Sequence, residues 1–357
     1  MRILKRILRA GGIVLALLIG TVAVALAGLI FFLSVTEYTP AAVQAADRQV
    51  RTGDTDAVGT SVTVYTWNMG YAGLGRESDF FMDGGTMVNP PSQDAVEENM
   101  AAIRKFMTEQ KADAWLIQEV DVNSARTDGM DQFAHLQSGV PGDSAFAYNY
   151  KCPFVPIPWP PMGRIESGLA TVTPHSIKSE AERISLPCPF SWPVRTANIK
   201  RCLLVTRLAV EGSDRELVLI NLHLEAYESG EGRIAQTKQL LELMQSEYEK
   251  GNYVIAGGDF NQAFPGTLDS YPIRDSEKWT PGLLTEESLP AGWRYAFDET
   301  SATCRLLDQP YCEDCQLYVI DGFILSPNVT LTQVETVDLD FTNSDHNPVR
   351  LDVQLVP

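Results

Sequence analysis

The sequence predicts an α/β fold: one large domain preceded by an apolar N-terminal helix. Three observations predict it. The chain has 357 residues, 45% of them hydrophobic and 21% charged, an ordinary globular composition. From residue 62 onward, short apolar runs alternate with stretches of helical period, the pattern of strands interleaved with helices. Before that, residues 11–33 form a run of 23 without a single charge.

Taken in order, residues 1–10 carry Arg2, Lys5, Arg6 and Arg9 and no acid. The run at 11–33 is long enough to cross a hydrocarbon core of about 30 Å as a helix. A basic flank before it and an acidic bulk after it predict a single-pass membrane protein whose large following domain lies outside the cytoplasm. A cleaved signal peptide, leaving a secreted protein, is the other reading, with Ala25-Leu26-Ala27 as a small-residue site. Apolar residues nevertheless continue through Leu33, which favours an anchor. Residues 34–56 are polar, Ala-rich and aperiodic, and are expected to form a linker that holds the domain off the membrane. Beyond it, 57–357 shows no second linker and no repeat, so it is expected to be one domain.

Within that domain, 62–67 reads as a strand. Residues 95–110 read as an amphipathic helix with Val96, Met100, Ile103 and Met107 on one face. Buried strands are expected at 114–117, 217–220 and 253–256, a second helix at 233–248, and late strands at 318–320, 322–325 and 349–355. The segment 152–161 holds five prolines in ten residues and is expected to be an irregular surface loop.

Formal net charge is −18; removing the four N-terminal bases leaves 24 bases against 46 acids. Such a surface excludes tight non-specific polyanion binding, though a local groove or a bound cation could still admit nucleic acid. Six cysteines, Cys152, Cys188, Cys202, Cys304, Cys312 and Cys315, suit an exported protein with disulfides. Cys312-Glu313-Asp314-Cys315 also invites a zinc or redox reading, but no histidine is near. A loop stapled from Cys304 to Cys312 or Cys315 is preferred.

Several polar residues sit where apolar strand runs end, the place where open α/β sheets present functional side chains. They are Asn68, Glu119, His223 and Asp259, joined by Asp321 between two apolar runs and by Asp345 and His346 before the last strand. Singly, each reads as a cap, a turn residue or a core histidine. Their order is more specific. Trp67-Asn68, Gln118-Glu119, Asn221-Leu222-His223, Gly257-Gly258-Asp259-Phe260-Asn261, Ile320-Asp321-Gly322-Phe323 and Ser344-Asp345-His346-Asn347-Pro348-Val349 resemble, in sequence order, the motifs of the endonuclease/exonuclease/phosphatase (DNase I-like) superfamily.

The resemblance implies a four-layer α/β sandwich, two mixed sheets face to face with helices outside. It implies Glu119 as principal ligand of Mg²⁺ (or Mn²⁺), assisted by Asn68 and Asp345, an oxygen set unlike that of zinc. Asp259 is expected to orient or deprotonate the attacking water, and Asn261 to bond a phosphoryl oxygen from an extended segment. Asp321 and His346 are expected to pair, with His223 touching a phosphoryl oxygen or the leaving group. Ser167 and the bases Arg195, Lys200 and Arg201 are weaker candidates for substrate contact, as are Arg233 and Gln236. Met69-Gly70 after Asn68 departs from relatives that carry a second acidic ligand there, so one metal or two stays open. The implied activity is hydrolysis of a phosphoester, foremost by a nuclease-like phosphodiesterase. A sphingomyelinase-like lipid phosphodiesterase or an inositol-phosphate phosphatase is the alternative, and a non-catalytic binding protein is the remaining one. The expected partners are the phosphoester itself (nucleic acid, phospholipid or inositol phosphate) and the membrane, with no protein partner.

Overall fold

In each central strand, alternate side chains face different apolar partners, and this alternation sets up the layers. Val62 and Val64 of one strand turn to a core that also holds Leu204, Leu219 and Ile255. Its Tyr65 and Trp67 turn the other way, onto Val96, Met100, Ile103 and Met107 of a helix. In another strand Leu217 and Leu219 join the first core, while Val218 and Ile220 pack with Leu240 and Met244 of a second helix. Strands apolar on both faces need cover on both faces, so the order is helix, sheet, sheet, helix.

A computed structural model describes residues 2–52, 56–227 and 230–356. In chain order the elements are α1 (Arg2–Val35), β1 (Val43–Ala45), β2 (Arg48–Val50), β3 (Ser61–Asn68), α2 (Gln93–Glu109), β4 (Ala114–Asp121), α3 (Gln132–Gly139), β5 (Asp143–Val155) and β6 (Gly163–Thr173). There follow β7 (Glu182–Ser185), β8 (Cys202–Ala209), β9 (Glu216–His223), α4 (Glu231–Glu249), β10 (Tyr253–Asp259), β11 (Arg294–Ala296), β12 (Asp321–Leu325), β13 (Val329–Thr336) and β14 (Val349–Leu355). One seven-stranded sheet runs β1-β7-β8-β9-β10-β12-β11 and the other β13-β14-β3-β4-β6-β5-β2. Both are mixed, with β9/β10 and β3/β4 parallel. The expected four-layer sandwich is the fold.

The Ser92 hydroxyl caps α2 by accepting from Ala95 N at 3.1 Å. Deep between the sheets, Gln118 Nε2 donates to Asn221 Oδ1 at 2.8 Å, and Asn221 Nδ2 donates to the carbonyls of Ile117 and Ala170. This buried amide bridge ties the sheets together just below the strand ends and leaves both Asn221 amide atoms satisfied.

Three expectations change. The segment 34–56 is not a free stalk across its described part: β1 pairs with β7 and β2 with β5, giving an edge strand to each sheet. Positions 53–55 of that segment lie outside the described residues. The proline-rich irregular stretch begins later, since β5 runs through Val155, which pairs with Gly163. All six thiols are free, and Cys304 pairs through its backbone with His346 instead of stapling to Cys312 or Cys315. The sulfurs that lie together are Cys312 and Cys315, at 3.2 Å.

α1 is the one candidate span among the described residues, with a mean hydropathy of 2.8 in its most apolar window and none of that window buried.

Candidate functional site

The topology brings distant strand ends to one edge. In the β9/β10 register His223 stands beside Asp259, and in β10/β12 Asp259 faces Asp321. In the other sheet Asn68 pairs with Gln118, and a bulge between Ile117 and Val120 pushes Glu119 out of the ladder. Glu119 has φ of 56° and Asn261 φ of 50°, a left-handed conformation that costs roughly 1 kcal/mol or more for such residues. Two glycines make room. A Cβ on Gly258 (φ 156°) would lie 1.9 Å from the Leu222 carbonyl, and one on Gly70 (φ 50°) would lie 2.7 Å from Asp345 Oδ1.

Asp259 is the hub. Its Oδ2 accepts from Asn68 Nδ2 at 3.1 Å and lies 3.3 Å from His223 Nε2 and 3.9 Å from His346 Nε2. Its Oδ1 accepts from Asn261 N at 2.8 Å. His346 Nδ1 meets Asp321 Oδ2 at 2.8 Å, with both residues buried. Thr303 Oγ1 accepts from the Asp321 and Ile320 amides, which fixes that strand end. Asn68 Nδ2 also donates to Glu119 Oε1 at 3.3 Å, and His223 Nδ1 lies 4.0 Å from the same oxygen.

Burial and charge divide the two histidines. Burial, with the positive charges of Arg201 and His346, holds His223 well below its usual pKa, so it is neutral. Burial opposes charge on His346 too, but the carboxylate of Asp321, with Cys304 and Asp345, outweighs it and lifts the imidazole well above its ordinary value. Burial and then the charge of Asp321 push Asp259 up to about 7. Burial is also the main cause for Asp345, raised to about 6 despite the opposing charge of His346, with Glu119 adding to the rise.

The donor set fits a hard cation. The charge of Glu119 adds to the cost of ionising Asp345, as a second carboxylate does where positive charge belongs, and among the described residues Asn68 Oδ1 accepts only from Gly70 N, which leaves a lone pair free. Asp259, Asp321 and His346 also offer atoms within 4.8 Å of one another. There, however, Nδ1 of His346 is already committed to Asp321, so that trio is a hydrogen-bonded group more than a cation cage.

These residues line a cavity of about 290 Å³, walled by Tyr71, Leu74, Phe80, Met162, Phe190 and Ile199 among others. Asn68, Glu119, His223, Asp259, Asn261, Asp345, His346, Ser167 and Arg201 all line it. Asp321 acts from behind His346. Arg195 does not line it: its Nε lies 3.3 Å from Glu37 at the foot of α1, as does Lys200 Nζ. Asn261 is in a left-handed turn instead of an extended segment, and its Nδ2 donates to Leu224 O at 2.9 Å. Gln236 is likewise internal, its Oε1 accepting from Glu225 N. Arg233 Nη1 donates to Asn261 O at 3.2 Å, supporting that turn.

Sequence reasoning missed Arg126, which forms a two-pronged pair with Asp121 at 2.9 Å per bond and sits 3.4 Å above the Tyr71 ring. It also missed Tyr227, whose hydroxyl donates to Asp83 Oδ1 at 2.8 Å in the cavity wall, and Arg305, bonded to the Gly75 and Ser78 carbonyls. Of these residues and their partners, only Asp121 stands close to a motif, two positions after Glu119.

Residues 65–346 match the model of the family described as Endonuclease/Exonuclease/phosphatase family. None of the curated proteins matches the chain. Among solved structures, an endonuclease/exonuclease/phosphatase from Beutenbergia cavernae is similar at TM-score 0.55 and 15% identity, covering 83% of this chain and 72% of its own. A family protein from Leptotrichia buccalis gives 0.52 at 15% identity, over 82% of this chain and all (100%) of its own. One from Bacteroides vulgatus gives 0.50 at 16% identity, over 83% and 99%. At these identities the likeness is one of fold.

Proposed function

The chain belongs to the Endonuclease/Exonuclease/phosphatase family, and on that premise we propose that it is a Mg²⁺- or Mn²⁺-dependent phosphodiesterase acting outside the cytoplasm on a compact phosphoester. That it is a metal-dependent hydrolase of phosphoester bonds follows from the family. The catalytic reading rests foremost on one observation: a buried carboxylate, Asp259, lies 3.3 Å from His223 and 3.9 Å from His346, two imidazoles whose surroundings push their protonation in opposite directions. Groups held in opposite protonation tendencies are what acid–base chemistry near neutral pH requires.

Glu119 and Asp345, with Asn68, would hold the cation, which when bound supplies Lewis-acid stabilisation of phosphoryl charge. Asp259 orients a water and takes its proton as the water oxygen attacks phosphorus. The bond from phosphorus to the leaving oxygen breaks, and that oxygen takes a proton from His346 Nε2. Asp321 holds His346 in the required tautomer and compensates its charge. His223 is pushed toward its neutral form, and its Nδ1, without a hydrogen-bond partner among the described residues, is proposed to meet a phosphoryl oxygen in the Nδ1–H tautomer. Arg201 lines the cavity with Nε and one Nη unbonded among the described residues, 3.7 Å from Glu225, and is proposed to meet the phosphate.

Substrate size favours a headgroup over a polynucleotide. Of the arginines in the cavity wall, Arg126 is spent on Asp121 and Arg305 on backbone carbonyls, which leaves no basic track for a strand. The acid excess outside the first ten residues points the same way. The test is a substrate panel given to the full-length protein in detergent with Mg²⁺: plasmid DNA, RNA, phospholipids, inositol phosphates and a chromogenic bis-ester. Hydrolysis of bis-ester or headgroup ester, abolished by chelator, is expected. Cleavage of DNA or RNA alone would overturn the substrate reading, and no hydrolysis of any ester would overturn the mechanism.

A further inference from the structure

The end of α1 is not a loose tether. Leu33 is buried, and with Leu29 it packs against Val88, Cys152, Val155, Met162 and Ile165. Ser34 Oγ accepts from Trp192 Nε1 at 3.0 Å, and Glu37 holds both Arg195 and Lys200 at 3.3 Å. Apart from Val88, two chain segments make these contacts: the β5–β6 hairpin and the loop at 186–201. They are also stitched to each other, Tyr150 Oη donating to Ala197 O at 2.9 Å and Lys200 N to Asn149 O at 2.6 Å. The depth of the domain relative to the apolar helix is therefore set by packing.

Both segments carry exposed apolar side chains beside that junction. Ile157 is 73% and Trp159 90% exposed at the hairpin tip, and Trp192 is 57% and Val194 58% exposed in the other loop. The hairpin tip is stiffened by Pro156, Pro158, Pro160 and Pro161, so its tryptophan is presented on a rigid frame. Indole rings prefer the lipid–water boundary, where an apolar body and a polar N–H are both accommodated. The roots of the same segments, Tyr150 and Met162 on one side and Phe190 and Ile199 on the other, form a wall of the catalytic cavity. One continuous piece of structure thus joins the membrane helix, the exposed tryptophans and the reactive site.

We propose that the loops tipped by Trp159 and Trp192 insert into the headgroup layer of the bilayer that holds α1, so that the cavity receives a phospholipid from that same bilayer. The occupant of the exposed patch is a lipid surface of low negative charge, since an acid-rich domain would be repelled by an anionic one. The cavity lining agrees: carboxylates and imidazoles together with apolar Met162, Phe190 and Ile199 suit a phosphoester bearing an apolar leaving group. This inference rests on the phosphoester-hydrolysing reading of the site and adds the substrate class and the docking surface.

The experiment reconstitutes the full-length protein into zwitterionic vesicles and compares it with Ile157→Ser/Trp159→Ser, whose altered side chains touch neither the cavity nor α1. Two rates are read with Mg²⁺, one on vesicle phospholipid and one on a soluble chromogenic bis-ester. Quenching of tryptophan emission by brominated lipids is read alongside. Wild type is expected to hydrolyse both substrates and to show a bromolipid-quenched component that Trp159→Phe removes. The double variant should lose lipid hydrolysis about tenfold or more while keeping its bis-ester rate. Equal lipid rates in variant and wild type, or emission untouched by brominated lipid, would overturn the docking surface. Bis-ester hydrolysis without lipid hydrolysis in wild type would overturn the substrate class and leave the phosphoesterase reading standing. Failure on both esters with Trp159 still quenched would overturn the catalytic reading and leave the surface.

Discussion

Replacing Asp321 by Asn tests the catalytic pairing most directly. Asp321 is fully buried and its Oδ2 lies 2.8 Å from His346 Nδ1. At an effective dielectric of about 20, a unit charge pair at that separation is worth about 6 kcal/mol, an upper bound because each partner is also desolvated. The Asn amide keeps a neutral hydrogen bond worth about 1 kcal/mol but forfeits that charge compensation, and its NH₂ can select the wrong imidazole tautomer. The expected loss is about 3–5 kcal/mol of transition-state stabilisation, about 10²- to 10⁴-fold in kcat. Thermal stability should fall much less, because Asn matches Asp in volume and Thr303 continues to hold the strand end through the main-chain amides. The assay is steady-state hydrolysis of a chromogenic bis-ester at saturating Mg²⁺, with melting followed by circular dichroism. His346→Ala should cost at least as much, and the double variant little more than the worse single, since groups that act as a unit are not additive. A kcat within about twofold of wild type for Asp321→Asn, or multiplicative losses in the double variant, would refute the pairing.

Glu119→Gln should raise the Mg²⁺ concentration for half-maximal activity about tenfold or more, read from activity titrations, because the amide removes one of the two carboxylate charges offered to the cation. Chelation should abolish hydrolysis, and Mg²⁺ or Mn²⁺ but not Zn²⁺ alone should restore it; full activity in excess chelator would sink the metal assignment. In oxidised protein, peptide mapping should find Cys312 linked to Cys315, whose sulfurs lie 3.2 Å apart, and a linkage from Cys304 to either would contradict its place beside His346. Glu247 supplies a pH signature. Burial raises its pKa, but bonds from Arg207, Lys250 and Asn252 outweigh that and bring it to about 2 from an ordinary 4.5. A depressed carboxylate contributes stability above its unfolded pKa and loses it as pH falls from about 4.5 through about 2. The melting temperature of Glu247→Gln should therefore trail wild type at pH 7 and converge with it toward pH 2, by calorimetry.

Much of the architecture was legible because burial leaves a local trace. The expected strand at 62–67 lies in β3, those at 217–220 and 253–256 are the earlier parts of β9 and β10, and 349–355 is β14. β9 and β10 are central and covered on both faces, so their apolar runs are continuous and short, whereas β14 alternates buried Val349, Leu351, Val353 and Leu355 with half-buried polar residues. α2 was legible through Val96, Met100, Ile103 and Met107, a spacing that only a helix brings onto one face. Asn68, Glu119, His223, Asp259, Asp321, Asp345 and His346 could be named because each breaks such an apolar run, or abuts one, in a familiar order. Edge strands β1 and β2 escaped notice, since three residues are too few to display a period.

What the sequence determined by itself, then, is the set of segments that must be buried, the apolar α1, and the polar residues stranded at their ends. Tertiary structure decided who meets whom. It sent Arg195 and Lys200 to Glu37 and away from the cavity, and it set Arg126 on Tyr71. It also joined Gln118 to Asn221 across the sheets and seated the Trp192 loop on the end of α1. The physical reason is range. Whether a residue is buried follows from its neighbours within a turn or a strand. The partner of a charge or an amide is chosen from whatever the fold brings within about 3 Å, which can lie a hundred or more residues away along the chain.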